Sequence, residues 1–403
     1  MGQNLGSVPA PWLTRDVLLI SLSAFFADMG YQAVTAVFPL LIVIELGQPA
    51  YVYGLLLALS YGVGSFFSLV GGKLGDRYDK KKLSIVGNLL IPLMSVSVLF
   101  PGVVTVGALF VFGWWARYFR TPARRAWLVE VSHPAYRSKV FGFLHALDVG
   151  GGMIAVAYSI VLVLVGAPLT EVVLVTAIPL LISSFALVLA GTKPHPEFAA
   201  ANSKLGGQPE QAEEEKSNRF VFRWLLISAT LFGFSYYALG FPIVTVAQSQ
   251  GSAVLGILTF GIYLGVSAAA GYLLGSVRGR RPFRTLWTLG YLLAAASSLV
   301  IGASYAFNYG LGLYYIGAAG LGFATGSIET FEPVLTSTLV KSGRLSAGLG
   351  WLSSSRALGL FTSNIVVGVL FTFSQTDSYV YAALAAFASA MILFVVELKT
   401  KIK

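Results

Sequence analysis

Two charged side chains stand deep inside long apolar stretches of the sequence, where each needs a chemical reason to be. Asp28 lies about twelve residues into the first stretch, near its middle if the stretch is a helix rising 1.5 Å per residue. Arg117 lies deep in the fourth stretch. A charge at the centre of a bilayer costs from about 3 to over 10 kcal/mol, so each side chain should face a wet cavity or an opposite charge.

Asp28 is the first candidate for proton chemistry. Burial without a counter-ion favours the neutral form of a carboxyl, and a carboxyl that binds and releases a proton near neutral pH is what proton coupling requires. Asp148 in the fifth apolar stretch and Glu329 in the tenth are further candidates. For Asp28, a structural ion pair with the fourth stretch and a hydrogen bond between packed helices remain the alternatives.

His145 and Asp148 are spaced i, i+3 on one predicted helix, so their side chains can meet. They form either a proton relay or a structural pair. One histidine beside one carboxylate does not indicate a metal site.

Arginines cluster at one end of the fourth stretch. Arg117, Arg120 and Arg124 are spaced i, i+3, i+7 and so share a helix face. Arg117 is the deep member of the set and is predicted to bind a proton-linked or substrate group. Arg124 lies close enough to the end of the stretch that snorkelling into the headgroups is an equal alternative.

The signs of these charges are exchanged between the two parts of the chain. When Arg137 is aligned with Arg344, the arginine-rich segment corresponds to Glu329 and Glu332, and Asp148 falls beside Arg356. The exchange predicts a gate of ion pairs, Arg120 and Arg124 with Glu329 and Glu332, and Asp148 with Arg356. In the alternative, each charge pairs within its own half and only stabilises it.

The composition indicates what kind of molecule must position these side chains. Of the 403 residues, 56% are hydrophobic and only 11% are charged, against about 25% in soluble proteins, which nearly excludes a soluble enzyme. The chain has no cysteine and three histidines, so neither disulfides nor a metal centre is expected, and no cofactor is predicted. No phosphate-binding Walker loop is present, which argues against ATP as the energy source.

Twelve apolar runs are long enough to cross a bilayer as helices, and none alternates like the strands of a membrane barrel. They predict an all-α integral membrane protein. The predicted crossings are 16 to 44, 52 to 72, 83 to 100, 103 to 128, 139 to 166, 170 to 191, 220 to 247, 253 to 276, 284 to 304, 309 to 338, 346 to 373 and 378 to 397.

The basic residues set the orientation of the chain. Every Lys and Arg in the connections between crossings falls in an even-numbered one, and the odd-numbered connections hold only acidic charges such as Glu45, Glu171 and Asp377. The positive-inside rule therefore places both termini in the cytoplasm. The net charge of +10 is explained by topology and by the anionic inner leaflet, so nucleic acid is not an expected partner.

The chain divides into two related halves. A polar stretch with Gly206, Pro209 and three consecutive glutamates predicts a flexible cytoplasmic linker over 192–219, between a six-helix half 1–191 and a six-helix half 220–403. Gly71 and Gly75 recur at a constant offset as Gly271 and Gly275. Such parallel repeats surround a central cavity and expose it alternately to either side of the membrane.

The segment Gly71-Gly-Lys-Leu-Gly-Asp-Arg-Tyr-Asp-Lys-Lys-Lys-Leu83 resembles the loop signature of the major facilitator superfamily. In that family this loop latches the halves together on the cytoplasmic side, which gives Asp76 a gating role by resemblance; a merely topogenic basic loop is the alternative. Arg120-Thr-Pro-Ala-Arg124 resembles a prokaryotic R-T-P-x-R group of the family, whose members are multidrug-efflux-like. The triple glycine 150–152 is similar to the family's fifth-helix antiporter motif but lacks the proline that normally follows.

Together these observations predict a secondary active transporter of a small organic solute, proton-coupled and working by alternating access, with efflux as the direction that the resemblance implies. No catalysis is expected. The expected partners are the solute, protons and the lipid of a plasma membrane, and we expect a monomer. A uniporter without proton coupling and a membrane sensor that binds without transporting are the alternatives.

Overall fold

Helices account for the secondary structure in the described part of this computed structural model, which comprises residues 12–132, 137–192, 212–235, 239–276, 282–340 and 345–400. In a bilayer every backbone N–H and C=O must be satisfied within the protein, and a helix does this within one segment. The helices are α1 (Arg15–Leu40), α2 (Ala50–Ala58), α3 (Gly64–Arg77), α4 (Lys80–Leu90), α5 (Leu93–Val96), α6 (Val103–Glu130), α7 (Arg137–Leu164), α8 (Leu169–Val175), α9 (Ala177–Leu189), α10 (Ala212–Ser235), α11 (Gly240–Gln250), α12 (Ala253–Ser276), α13 (Pro282–Thr285), α14 (Leu293–Ala306), α15 (Leu311–Leu339), α16 (Leu345–Phe373) and α17 (Gln375–Thr400).

Eleven helical spans in the described residues are long and apolar enough to cross a membrane. Each coincides with one of our predicted crossings to within a few residues at most ends. The remaining prediction, 103–128, corresponds to the 28-residue helix α6, whose four arginines make it less apolar than the others.

One boundary differs from the prediction. Helix α10 begins at Ala212, inside the segment 192–219 that we predict as a linker. Alanine, glutamate and lysine are good helix formers, and glutamates in a first turn interact favourably with the helix dipole, so the sequence after Ala212 extends the helix beyond its apolar part. Residues 193–211 lie outside the described part of the chain.

One end of the first half is tied together by polar contacts. Asp16 accepts a hydrogen bond from the Gly191 amide at 2.6 Å, and the Trp127 indole donates to the Gly191 carbonyl at 3.1 Å. Lys81 donates to the carbonyls of Val188 and Ala190 at 2.9 and 2.6 Å. We call this the basic end, because the Lys- and Arg-bearing connections lie here.

The opposite end of the molecule is closed by aromatic packing between its first and second parts. Tyr53 packs edge-on against Phe241 at 5.4 Å between ring centroids, and Phe241 lies 5.2 Å from Phe371. All three are buried. Helices α2 and α16 touch closely where Gly54 faces the backbone of Asn364 and Gly368: a Cβ at Gly54 would lie 2.3 Å from the Asn364 carbonyl oxygen.

Two short π-helical segments interrupt the helices next to the site described below. Leu59–Val63 joins α2 to α3 and carries Tyr61, and Leu286–Leu292 joins α13 to α14 and carries Tyr291. The wider turn frees backbone carbonyls from the helical pattern. Trp115 uses this at the first segment, where its indole donates to the Leu59 carbonyl at 2.9 Å.

Candidate functional site

A cavity of about 1140 Å³ lies between the first and second parts of the chain. It reaches toward the basic end, where the lining residues Arg125 and Glu329 are exposed, and ends below the aromatic closure at the opposite end. Four of its lining residues are charged: Arg117, Arg125, Glu329 and Arg356.

Arg117 faces this cavity, as predicted, and is held by aromatic rings. Its guanidinium carbon lies 4.3 Å from the ring centroid of Tyr31, 4.9 Å from that of Trp114 and 5.8 Å from that of Tyr118. Nη2 also donates to the Tyr31 hydroxyl at 3.3 Å. Cation–π contacts of this kind stabilise a cation without neutralising its charge.

Asp28 and Asp148 lie on α1 and α7 behind this wall. These helices are in close contact, since a Cβ at Gly151 would lie 2.2 Å from the Phe25 carbonyl oxygen. Helices α1 and α7 run in the same direction, since Trp12 packs against Phe143 and Gln32 lies next to Gly152, so Asp28 and Asp148 lie on opposite sides of that contact along the helix axes. They lie within electrostatic range of each other.

Asp28 is 5% exposed, which confirms its predicted burial. Gln32 donates to Oδ1 at 3.5 Å, whereas Oδ2 of Asp28 and Oδ1 of Asp148 are buried without a hydrogen-bond partner among the described residues. The predicted alternative of an ion pair between Asp28 and the fourth stretch is not formed at ion-pair distance in this part of the structure.

Arg120 turns away from the cavity into the first half of the bundle. It is 1% exposed, and Nη1 donates to Oδ1 of Asn88. The Asn88 amide in turn donates to the hydroxyls of Ser183 and Ser184 at 3.0 and 2.7 Å. Sequence reasoning did not pair Arg120 with Asn88, although a polar Asn88 within an apolar helix is the signal for a hydrogen bond between helices.

Arg124 and Arg125 also differ in direction: one is buried inside the bundle and the other faces the cavity. Arg124 is 4% exposed, and its Nε and Nη1 atoms are buried without a hydrogen-bond partner among the described residues. Arg124 therefore does not snorkel to a headgroup. Arg125 lines the cavity and is exposed.

The second half carries its own charge cluster. Arg356 donates through Nη1 to Glu329 and through Nη2 to Glu332. Glu332 is fully buried and also accepts a 2.6 Å hydrogen bond from the Tyr291 hydroxyl, whereas the Glu329 side chain is 59% exposed. Tyr291 was not predicted; its place in the π-helical segment aims it at Glu332.

The predicted pairs across the interface are absent from the described contacts of this conformation. Arg356 pairs with Glu329 and Glu332 rather than with Asp148, and Arg120 binds Asn88 rather than either glutamate. The physical reason is proximity along adjacent helices, since the cavity separates the two halves at this depth. The gate remains a prediction for a conformation in which the basic end is closed.

Three further predictions concern Asp76, the pair His145 and Asp148, and metal binding. The side chain of Asp76 lies outside the described residues, so its latch role stays a prediction. His145 is exposed, and no hydrogen bond or ion pair joins it to Asp148 among the described contacts. No group of three metal-ligating side chains occurs in the described part of the chain.

The sequence also matches a known family. The family model described as Major Facilitator Superfamily matches residues 20–364. The chain belongs to the Major Facilitator Superfamily. It is 21% identical over 394 residues to an uncharacterized MFS-type transporter of Methanocaldococcus jannaschii, covering 94% of each chain.

Solved structures with this fold include several transporters. A POT family transporter in complex with 5-aminolevulinic acid has a TM-score of 0.75 at 12% identity, covering 96% of each chain. A bacterial homolog of the human lysosomal transporter Spinster, inward-facing and unoccupied, has a TM-score of 0.67 at 12% identity, covering 98% of this chain and 97% of that one. A nucleoside transporter has a TM-score of 0.70 at 11% identity, covering 96% of this chain and 98% of that one. The chain is thus a multi-pass integral membrane protein of a transporter family.

Proposed function

We propose that this protein moves a small organic solute across the plasma membrane by alternating access, as a monomer, with protons as the coupling ion. In this proposal α6 is the fourth of twelve crossings, the halves 1–191 and 220–403 are joined by the linker 192–219, and both termini are cytoplasmic. The resemblance of Arg120 to Arg124 to the efflux-like group favours export.

The observation that carries the proposal is the asymmetry of the cavity. It is open toward the basic end, and buried aromatic rings close it at the opposite end. A cavity of this kind between two halves can be exposed alternately if one half rocks against the other. With the basic end in the cytoplasm, the described conformation faces inward.

Asp28 and Asp148 are the proposed proton site. Two carboxylates within electrostatic range repel each other when both are charged, and a proton on either one removes the repulsion and supplies a hydrogen-bond donor for the buried oxygens that have none. Tyr31 connects this pair to the cavity, since its hydroxyl accepts from Arg117 and its ring lies under the same guanidinium. Movement of Arg117 on substrate binding would therefore change the electrostatic environment of the two carboxylates.

Closure of the basic end would bring the charges of the two halves together. Asp148 with Arg356, and Arg120 and Arg124 with Glu329 and Glu332, are the proposed gate pairs of that state, with Asp76 as a latch residue. Forming them requires Arg356 to exchange partners, so a double-mutant cycle on Asp148 and Arg356 should show coupling in transport but little in the stability of the conformation described.

The test is proton release or uptake by detergent-purified protein on addition of ligands. The panel contains 2-naphthoate, an amino acid, a nucleoside and tetraphenylphosphonium. We expect at least one ligand to produce a proton signal in the wild type and none in Asp28→Asn.

Asp377→Asn is the matched control, because Asp377 is an exposed acid in the first turn of α17 at the opposite end. It should leave the signal unchanged. Ligand binding without any proton movement in wild type would reject proton coupling and favour the uniporter, and binding without transport in proteoliposomes would favour the sensor.

A further inference from the structure

We infer that the substrate carries an oxyanionic group, such as a carboxylate or a phosphate ester, on a planar apolar body, and that Arg117 binds that group. The inference rests on the proposed function, because it names the substrate class of the same cavity. It is carried by the partners of Arg117 and by the charges and rings of the cavity wall.

Arg117 faces the cavity with no acidic partner. The described structure contains no ion pair to Arg117, whereas the other deep cavity arginine, Arg356, is paired with two carboxylates. Asp28 is within electrostatic range of Arg117, but its hydrogen-bond partner is Gln32. A cavity-facing guanidinium without an acidic partner is suited to an anion brought by a ligand.

The aromatic cage leaves two of the three guanidinium nitrogens of Arg117 without a described hydrogen bond. Rings of Tyr31, Trp114 and Tyr118 surround the guanidinium, and the one described hydrogen bond uses Nη2. Nε is buried without a hydrogen-bond partner among the described residues, and Nη1 makes none of the described hydrogen bonds. An arginine held on its faces presents its N–H groups as a fork, which matches the two oxygens of a carboxylate or phosphate.

The charges that line the cavity are unequal in sign. Arg117, Arg125 and Arg356 stand against Glu329, whose carboxylate is already bonded to Arg356. An organic cation would meet two arginines without ion pairs among the described contacts and a carboxylate that is already occupied. An organic anion would instead be attracted by the two arginines that make no described ion pair, and the carboxylate that would repel it is already bonded to Arg356.

Aromatic rings on both walls fit an apolar body. Tyr61 and Trp114 line the first-half wall with ring centroids 5.2 Å apart, and Phe260 and Tyr263 line the second-half wall with nearly parallel rings. A planar group anchored by its anion at Arg117 would lie between them. Such rings contribute burial area and stacking but little preference for charge, which leaves the charge preference to Arg117.

Equilibrium dialysis with four probes of one naphthyl body tests the inference: 2-naphthoate, 2-naphthyl phosphate, 2-naphthamide and 2-naphthylmethylammonium. We expect wild type to bind the carboxylate or the phosphate about 10- to 100-fold more tightly than the amide, the range of a charge-assisted hydrogen bond. Whichever of these two anions binds more tightly indicates whether the substrate carries a carboxylate or a phosphate ester. The ammonium should bind weakest.

Arg117→Gln should remove the preference for the anion over the amide, and Arg117→Lys should restore only part of it because the charge remains but the fork is lost. Arg125→Gln removes the same charge from the same wall without touching the cage and should change the preference less than threefold or so, as expected of an exposed charge. An equal effect of both glutamine variants would mean a general field rather than a binding residue, and would overturn the assignment.

Wild type alone also decides the question should Arg117→Gln fail to fold. Equal binding of anion and amide, tighter binding of the ammonium, or no anion binding at millimolar concentration would overturn the inference. Its failure is distinguishable from that of the proposed function. A transported cation would refute the anionic substrate class but support transport. An anion that binds through Arg117 but is never transported would support the substrate class and refute transport.

Discussion

Arg120 and Arg356 are both charged side chains inside a helix bundle, but their partners differ in kind. Arg120 has a neutral amide, Asn88, and Arg356 has two carboxylates. A buried charge that relies on hydrogen bonds alone is costly when a bond is lost, and a buried ion pair is costly when one partner is removed. The two halves therefore tolerate different substitutions.

Asn88→Ala should destabilise the protein by about 1–3 kcal/mol, because it leaves Arg120 without its described hydrogen-bond partner and removes the amide that donates to the hydroxyls of Ser183 and Ser184. Thermal unfolding in detergent measures this. Ser84→Ala is the control, since Ser84 lies on the same helix, is fully buried and has an Oγ without a described partner. Equal melting temperatures of the two variants would mean that the Arg120 network contributes nothing.

Arg356→Gln should be strongly destabilising, by about 3–5 kcal/mol, because it leaves the fully buried Glu332 unpaired. Glu329→Gln should have a small effect, since Glu329 is exposed and Arg356 keeps Glu332. The double variant Glu332→Gln, Arg356→Gln should melt above Arg356→Gln alone, as both members of the buried pair are then gone. Additive melting shifts in this cycle would contradict the pairing.

At the scale of helices, glycines determine how closely the charged faces approach. Gly151 lets α7 touch the backbone of α1, and Asp28 and Asp148 lie one on each side of this contact. Gly71 does the same for α3 and α6, where a Cβ would lie 2.0 Å from the Phe119 carbonyl oxygen.

Gly151→Ala should force α1 and α7 apart, because backbone atoms cannot yield to a Cβ at 2.2 Å. We expect a loss of about 1–3 kcal/mol, typical of overpacking, together with a weaker ligand-induced proton signal because the two carboxylates separate. Gly150→Ala is a neighbouring control, since its nearest contact would be the Phe25 ring at 3.8 Å, an ordinary distance. A proton signal that survives in Gly151→Ala at full size would show that coupling does not depend on the α1–α7 contact.

Helix positions could be predicted from the sequence because a bilayer demands about 20 apolar residues for each crossing, and this length is visible in the chain. The direction of each charged side chain could not. Arg117 and Arg120 are three residues apart, yet Arg117 faces the cavity and Arg120 faces Asn88. Three residues along a helix change the direction of a side chain by about 60°, which is enough here to move it from the cavity wall to the interior of the bundle. Partners within a half and across halves are equally compatible with the sequence pattern, and the distances decide between them.

At the scale of the whole molecule, the contact at the opposite end and the gap at the basic end are two aspects of one arrangement. Tyr51 and Thr372 are joined across the halves by a 3.1 Å hydrogen bond from the Tyr51 amide to the Thr372 hydroxyl. Ser68 and Ser354 line the cavity on α3 and α16, the helices that must approach if the basic end closes. Alternating access requires that these two places open and close in opposition.

The chain has no cysteine, so engineered pairs report this opposition without background. Tyr51→Cys with Thr372→Cys should cross-link readily under mild oxidation, because both residues are exposed and their backbones are already close. The cross-link should stop transport in proteoliposomes, since the opposite end can no longer open, and a reductant should restore it. Ser68→Cys with Ser354→Cys should cross-link only in the fraction of molecules that close the basic end. When Arg125→Cys is added to this pair, the cysteine at 125 should be protected from a thiol reagent in the same fraction. Full transport by the completely cross-linked Tyr51 and Thr372 variant would mean that solute passes without opening of this end, and the rocking of the two halves would have to be abandoned.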